Sequence, residues 1–471
     1  MDGLECSEIN RSELERTLRI DSEFYSKSAI KVSDMLQSRS HDLLTTFVNV
    51  SDGNHMGISD CFIDEGVPYY RGQDAGAFFI ENSTPICINE KTFELPVMKR
   101  SHLKKGDVIL SIVETIGSLS LVYSDKSATC SCKLAILRPK EGKSAELLAT
   151  FLRGKYGQAQ ITRFTRGAVQ KGLILEDMDQ LVVPTFGDGI VEAIKNAVQS
   201  AYQIQEKANI HYREAQRTLM NSVGSILVPA ESVSVRNIST SFYTTGRLDA
   251  EYYQPKYDIL FDELKKFSCK RLGGPNGIVN IKKSIEPGSE AYTEDGIPFV
   301  RVSDISKFGI SEPDIKLRSD IIPNPEVLFP PKDTILLSKD GSVGIAYKVE
   351  ATMPIITSGA LLHLKVRDKT EVLPDYLTLV LNSPVVQLQA ERDSNGAIIR
   401  HWKPSEIENV IIPILDMDTQ KEIAAKVQEA FTLRKQSKQL LEYAKQAVEM
   451  AIEQGEDVAL AWLKDKIPVE V

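Results

Sequence analysis

The chain has 471 residues, 42% of them hydrophobic and 26% charged, with a formal net charge of −9. No stretch approaches the roughly 18 apolar residues of a membrane span, and the start Met1-Asp2-Gly3-Leu4-Glu5-Cys6 lacks the basic and apolar regions of a secretory signal. The expectation is a cytoplasmic protein, and its acidity argues against a general affinity for nucleic acid, whose phosphates are met by Lys and Arg.

From about residue 40 to 140, short apolar runs such as Asp107 to Val113 and Leu134 to Leu137 lie between Gly, Pro, Asn and Asp, which predicts strands and turns. A helical stretch follows from Ala145 to Phe164, then a short strand ending at Pro184. At that point the period changes. Ile190, Ile194, Ala197, Ala201, Ile204, Ala208, His211 and Ala215 are spaced four, three, four, three, the seam of a coiled coil. Leu227 to Thr245, rich in Ser and Thr, reads as a crossover. The same series then returns: strands at Thr334 to Leu337, Gly344 to Val349 and Leu361 to Val366, a helix from Pro374 to Glu391 that restarts at Pro384, and a strand ending at Pro413. A second seam closes the chain, through Ile423, Lys426, Ala430, Leu433, Ser437, Leu440, Ala444, Ala447 and Ala451.

The second half therefore repeats the first, at an offset of about 229 residues. Arg19-x-Asp21-x-Glu23-x-Tyr25 returns as Arg247-x-Asp249-x-Glu251-x-Tyr253. Glu65-Gly66-Val67-Pro68-Tyr69-Tyr70-Arg71 returns as Asp295-Gly296-Ile297-Pro298-Phe299-Val300-Arg301, with Asp74 and Asp304 three residues on. Gly106 to Gly117 matches Lys332 to Gly344 with a one-residue slip. Gln158, Gly167-Ala168, Pro184, Ile194, Ala201 and Ala215 match Gln387, Gly396-Ala397, Pro413, Ile423, Ala430 and Ala444. The fold expected is α+β: two tandem, pseudo-symmetric domains, each followed by a long helix, with the two helices pairing as an antiparallel coiled coil. Small residues in the seam allow close approach, and about 34 residues make a rod of roughly 50 Å. The pairing and docking positions are Ile194, Ala201, Ile204, Ala208 and Ala215 on one helix, and Ile423, Ala430, Leu433, Leu440 and Ala444 on the other. The competing reading is an ordinary amphipathic helix packed on its own domain.

Catalytic spacings are missing. There is no G-x-G-x-x-G after a strand, no phosphate loop, no G-x-S-x-G elbow and no H-E-x-x-H. Asn324-Pro325 is followed by Glu-Val, not by the Pro and aromatic residue that amino-methyltransferases set against a flipped base. All cysteines but Cys269 lie in the first half, with no C-x-x-C, which predicts reduced structural thiols. The six histidines lack paired helical spacing, so no metal is expected.

What repeats instead looks like a contact surface. Arg71 and Gln73 follow a predicted strand, and Arg301 and Ser303 take those places in the second copy. Arg reads guanine and Gln reads adenine in the major groove, although Arg71 and Arg301 are equally placed to pair with Asp74 and Asp304. From Leu147 to Leu175 no acidic residue occurs until the run ends, while Arg153, Lys155, Arg163, Arg166 and Lys171 are present. A solvated helix face is the plain alternative. The loop Arg166-Gly167-Ala168-Val169-Gln170-Lys171 is matched by Asn395-Gly396-Ala397-Ile398-Ile399-Arg400, followed by His401-Trp402-Lys403. Glycine permits the backbone to turn sharply toward a ligand. Where the second copy has Lys339-Asp340-Gly341-Ser342, the first has Ile112 to Thr115 instead. One frame thus carries two sets of polar residues, as a reader of two different sequences requires.

These motifs, together with Arg-Leu-Asp-Ala-Glu-Tyr-Tyr from 247, Gly-Ile-Pro-Phe-Val-Arg-Val-Ser-Asp-Ile from 296, Ile-Leu-Leu-Ser-Lys-Asp-Gly-Ser-Val-Gly from 335 and Gln420-Lys421-Glu422-Ile423, resemble the specificity subunit of type I restriction-modification systems. The resemblance covers almost the whole chain. It implies target-recognition domains at 1–188 and 227–418, a central spacer helix at 189–226 and a C-terminal spacer helix and tail at 419–471. Each domain would read half of a split site in double-stranded DNA, across a gap set by the helices. The chain itself would be non-catalytic and hold no cofactor. S-adenosylmethionine, ATP and Mg would be used by its partners, two methyltransferase subunits and the restriction subunits, and no membrane is involved. The first copy departs from the family pattern at Ile112 to Thr115 and at Gly172-Leu173. A duplicated protein-binding scaffold without DNA specificity, or an enzyme with an unfamiliar motif, are the competing readings.

Overall fold

The computed structural model describes residues 7–16, 18–80, 85–167, 170–224, 233–396 and 399–467. It divides into two units: Met1–Glu206 with Arg434–Val471, and Lys207–Leu433. Each unit draws on both long helices, Asp188–Val223 and Met417–Gln454.

In the first unit a four-stranded antiparallel sheet has the order Val48–Asp52, Leu134–Pro139, Val108–Ser111, Leu119–Leu121. A second sheet has the order Phe62–Ile63, Cys87–Ile88, Val67–Tyr70, Thr129–Cys130, its last pair parallel. His41–Leu43 pairs with Val182–Pro184. The second unit repeats this order strand for strand. Val279–Lys283, Leu361–Val366, Ile335–Ser338 and Ala346–Lys348 form its first sheet. Tyr292–Thr293, Lys316–Leu317, Ile297–Val300 and Ile356–Thr357 form its second, again with a parallel last pair. Cys269–Arg271 pairs with Ile411–Pro413. Only the hairpin of Ile305–Ser306 with Gly309–Ile310 has no strand-paired counterpart among the described residues.

The central strand of the first sheet shows why its sequence is continuously apolar. Ile335 and Leu337 point to one core with Leu377, Trp402 and the long helices, while Leu336 points to another with Val300, Tyr347 and Ile355. A strand buried on both faces needs no polar alternation.

The helix predicted from Ala145 to Phe164 is two helices, Ala145–Arg153 and Lys155–Phe164. Gly154 is extended (ψ 165°) between them, and the freed Lys155 amide donates to Glu449 Oε1 at 2.8 Å. The predicted restart at Pro384 is present, between Pro374–Leu381 and Pro384–Asp393. Past Gln454 the chain turns at Gly455 (φ 99°) into a further helix, Glu456–Lys466.

The seam positions Ile194, Ala201, Ile204, Ala208, Ala215, Ile423, Ala430, Leu440 and Ala444 are buried, and Leu433 is half-buried. In the second unit Ala215, Ile423 and Ala430 join the same core as Tyr376 and Trp402, so the seam packs on the domain itself. Polar clamps add to this packing. Gln428 Nε2 donates to buried Asp375 at 2.9 Å, and Lys348 Nζ lies 2.7 Å from the same carboxylate. Burial opposes the charge on Lys348, but Asp375 outweighs it and holds the ammonium above its usual range. In the first unit the buried Glu146 accepts from Tyr123 at 3.2 Å, and Gln199 bonds the same hydroxyl. Gln199 and Gln428 occupy matching turns of the two long helices.

His363, in the central sheet, is buried against Thr357 Oγ1 at 2.8 Å, and burial pushes its pKa down from 6.5 to about 4. The folded state therefore prefers the neutral ring. Its contribution is full above pH 6.5 and is lost as pH falls toward 4, about 3 kcal/mol in all. We expect His363→Gln to flatten the pH dependence of urea unfolding between pH 6.5 and 4; equal slopes for parent and variant would contradict this.

Candidate nucleic-acid interface

In each unit two loops are stapled together by backbone hydrogen bonds. In the first, Arg166 and Gly172 exchange N–H···O bonds of 2.8 and 2.7 Å, Gly172 bridges to Val113, and the Leu173 amide donates to Ile112 O at 2.9 Å. In the second, Asn395 and His401 exchange bonds of 2.9 and 2.6 Å, His401 bridges to Asp340, and the Trp402 amide donates to Lys339 O at 2.7 Å. The Gly341 amide also donates to Arg400 O at 2.9 Å. Leu173 and Trp402 are buried and anchor the ends of the two loops.

Glycine is required at the turn. Gly167 and Gly396 have φ of 111° and 127°, and a Cβ on either would lie 2.2 Å from Gln170 O or 1.9 Å from Ile399 O. The predicted Gly-Ala turn continues into Ala168 and Ala397, which lie outside the described residues. The second conserved spacing has the same basis. Gly117 and Gly344 (φ 87° and 89°) sit against Gln158 and Gln387, whose amides donate to Gly117 O at 3.0 Å and Gly344 O at 2.8 Å. Two glutamines missed in the sequence complete the support. Gln160 makes paired bonds to Val182, and Gln389 to Ile411, in the same geometry. Their constant offset was the available signal.

The frame presents the polar residues unequally. Much of the acid-free basic run turns inward. Arg153 donates to Leu119 O at 2.6 Å, and Lys155 pairs with Glu453. Arg163 Nε donates to Phe24 O at 3.0 Å with its guanidinium over the Phe24 ring, and burial pulls its pKa down. Arg166 pairs with Asp177 at 2.6 Å. Lys171 and Gln170 remain exposed, with Glu23 3.5 Å from the Lys171 ammonium. The arginines of the run are thus mainly internal ties, and its basic charge reaches solvent at Lys155, beside Glu453, and at Lys171, beside Glu23.

Arg71 and Arg301 close turns with their aspartates. Asp74 and Asp304 each accept the arginine backbone N–H at 2.8 Å, and the Nε atoms lie 3.8 and 3.5 Å away. Both guanidinium groups stay half-exposed, while Gln73 and Ser303 are exposed. Thr115 Oγ1 donates to Gly72 O at 3.1 Å, which brings the Gln73 turn against the loop of the first unit. In the second unit Arg400 is exposed, Lys403 is 67% exposed, and Asn395 is exposed with its amide on Asp393 O at 3.1 Å. Lys339 is largely enclosed and pairs with Asp340, which also holds His401 Nδ1 at 2.8 Å. That last contact was invisible in the sequence, because the two residues come from different loops.

Among the described residues no group of His, Cys, Asp and Glu is placed to hold a metal ion, and Cys61, Cys87, Cys130, Cys132 and Cys269 are free. No described helix is long and apolar enough to cross a membrane.

Residues 265–443 match the family described as type I restriction modification DNA specificity domain. That segment is similar to the type I restriction-modification DNA specificity domain. The matched segment contains the whole stapled frame of the second unit. Among solved structures, the S subunit of the type I restriction-modification system from M. genitalium is 14% identical over 90% of this chain and 95% of its own, with a TM-score of 0.35. The HsdS subunit from Thermoanaerobacter tengcongensis is 16% identical over 92% and 97%, with a TM-score of 0.27. No curated protein matches the chain.

The stapled frame makes a contrast testable. Gly396→Ala forces a Cβ against a carbonyl at positive φ and should lower stability by more than about 1 kcal/mol. Gly172→Ala meets only Ile112 O at 3.5 Å and should be near neutral. Thermal unfolding of the two variants decides the point, and equal melting temperatures would contradict the geometry.

Proposed function

We propose that the chain is the DNA specificity subunit of a type I restriction-modification complex, each domain reading one half of a split site in double-stranded DNA. One observation carries this reading: the same backbone frame occurs in both units, with different polar side chains on it. A frame held by main-chain bonds keeps its shape when its readers change. Gln73, Gln170 and Lys171 are the proposed readers of the first half-site, with Arg71 and Arg166 lending charge from their ion pairs. Ser303, Arg400, His401 and Lys403 are those of the second, with Arg301, Asn395 and Lys339 behind them. Arg163 is withdrawn from the interface, since its guanidinium is committed to Phe24.

The long helices would pair in antiparallel sense and set the gap between half-sites. Two contacts support this, each within one unit: Ser437 Oγ donates to Ala201 O at 2.7 Å, and Lys426 Nζ donates to Thr218 Oγ1 at 3.2 Å. Domains at 1–188 and 227–418 and spacers at 189–226 and 419–471 remain the proposed division. The chain would be non-catalytic and cytoplasmic. Two methyltransferase subunits using S-adenosylmethionine, and restriction subunits using ATP and Mg, would dock on it. Because the chain is acidic overall, these partners would supply part of the phosphate clamp, which makes binding by the chain alone weak and salt-sensitive.

We expect Arg400→Ala with Lys403→Ala to impair recognition of one half-site only, read as the motif methylated in cells carrying the chain with its methyltransferase. An unchanged motif, or equal damage to both halves, would contradict the assignment.

A further inference from the structure

We propose that Asp340 and His401 form a base-reading dyad confined to the second domain. In it Asp340 is a positioning residue that holds the His401 ring so that Nε2 accepts a hydrogen bond from the exocyclic amine of adenine or cytosine. The inference rests on the DNA-reading function proposed above and adds a chemical class of base.

His401 is held on several sides and yet left in solvent. Its N–H and C=O are both bonded to Asn395, it bridges to Asp340, and the next residue, Trp402, is buried with its amide on Lys339 O. The imidazole itself is 61% exposed. A side chain that serves the core is buried, whereas one fixed on a rigid backbone and turned outward is arranged for a ligand. Nδ1 lies 2.8 Å from Asp340 Oδ1. A carboxylate only accepts, so Nδ1 carries the proton, and in the neutral ring Nε2 is left with its lone pair. Lys339 occupies the other oxygen of Asp340, so the carboxylate is tethered on both sides and cannot swing outward. In the major groove the donors are adenine N6 and cytosine N4, while guanine and thymine present acceptors.

The first unit has the same frame without the dyad. Gly172 takes the place of His401, and Val113 that of Asp340. There is room for a side chain at Gly172: its φ is not positive, and a Cβ would meet only Ile112 O at 3.5 Å. What the first unit lacks is the reader, so the dyad is transferable.

The test is sequencing of methylated motifs in cells carrying the full chain and its methyltransferase. The parent motif should require adenine or cytosine at one position of one half-site. His401→Ala should lower that discrimination roughly two- to tenfold and leave the other half unchanged. Asp340→Ala should weaken the same position, and Asp340→Asn, which retains an acceptor of equal reach, should restore it; a merely structural aspartate would not confine its effect to one base. Val113→Asp with Gly172→His should add a requirement for adenine or cytosine in the other half-site. An unchanged motif in His401→Ala overturns the proposal, as does a graft that leaves the first half-site as it was or abolishes methylation. If the parent chain directs no split motif at all, the specificity reading itself fails instead.

Discussion

Main-chain hydrogen bonds between two loops are the constraint on which each domain's surface depends. Arg166 with Gly172, and Asn395 with His401, exchange bonds that involve no side chain, and neighbouring amides tie the second loop to the first. Shape and identity are thereby separated. Arg, Gly and Gln stand in one copy where Asn, His and Ile stand in the other, with the loop path kept. Only the positions that set that path are fixed: glycines at positive φ, and the glutamines that bond the carbonyls of Gly117 and Gly344. Side chains on such a frame can change without loss of fold.

Behind the loops, each unit is tied to its stretch of long helix by both apolar and polar contacts. The apolar part is ordinary burial of small and branched residues, with Ala215, Ile423 and Ala430 sharing a core with Tyr376 and Trp402. The polar part is directional. Asp375 accepts from Gln428 and Lys348 where little water reaches, and removing one partner would leave an uncompensated buried charge, which typically costs about 3–5 kcal/mol. In the first unit Tyr123 links Glu146 to Gln199 at the matching place, with Lys105 Nζ 5.4 Å from its ring centroid. Such contacts fix how a domain meets its helix more sharply than apolar packing does.

Much of this was legible in the sequence, for identifiable reasons. The repeat gave the shared topology because matched motifs at constant offset demand matched strands. Pro384 gave the helix break because proline starts helices, and the heptad residues gave the buried faces. Other features depend on contacts that no local pattern records. The break at Gly154 is stabilised by Glu449, which lies 294 residues away from Lys155. Arg163 belongs to a basic run in the sequence, but its guanidinium lies over Phe24, a residue 139 positions away. Arg71 and Arg301 were open to two readings, and the turns they form with Asp74 and Asp304 favour a structural share in their role. Asp340 and His401 are neighbours only because two loops meet.

In the proposed reading the acidic chain shares its labour: sequence would be read here and phosphates neutralised largely by bound partners. The central claim is that two copies of one frame read two halves of one site. It is tested most directly by single-molecule sequencing of methylated DNA from cells with this chain and its methyltransferase, compared with cells lacking the chain. The account predicts a split motif with methyladenine in both halves that disappears with the chain. A methylation pattern indifferent to the chain, with the methyltransferase shown to be bound to it, would contradict the account.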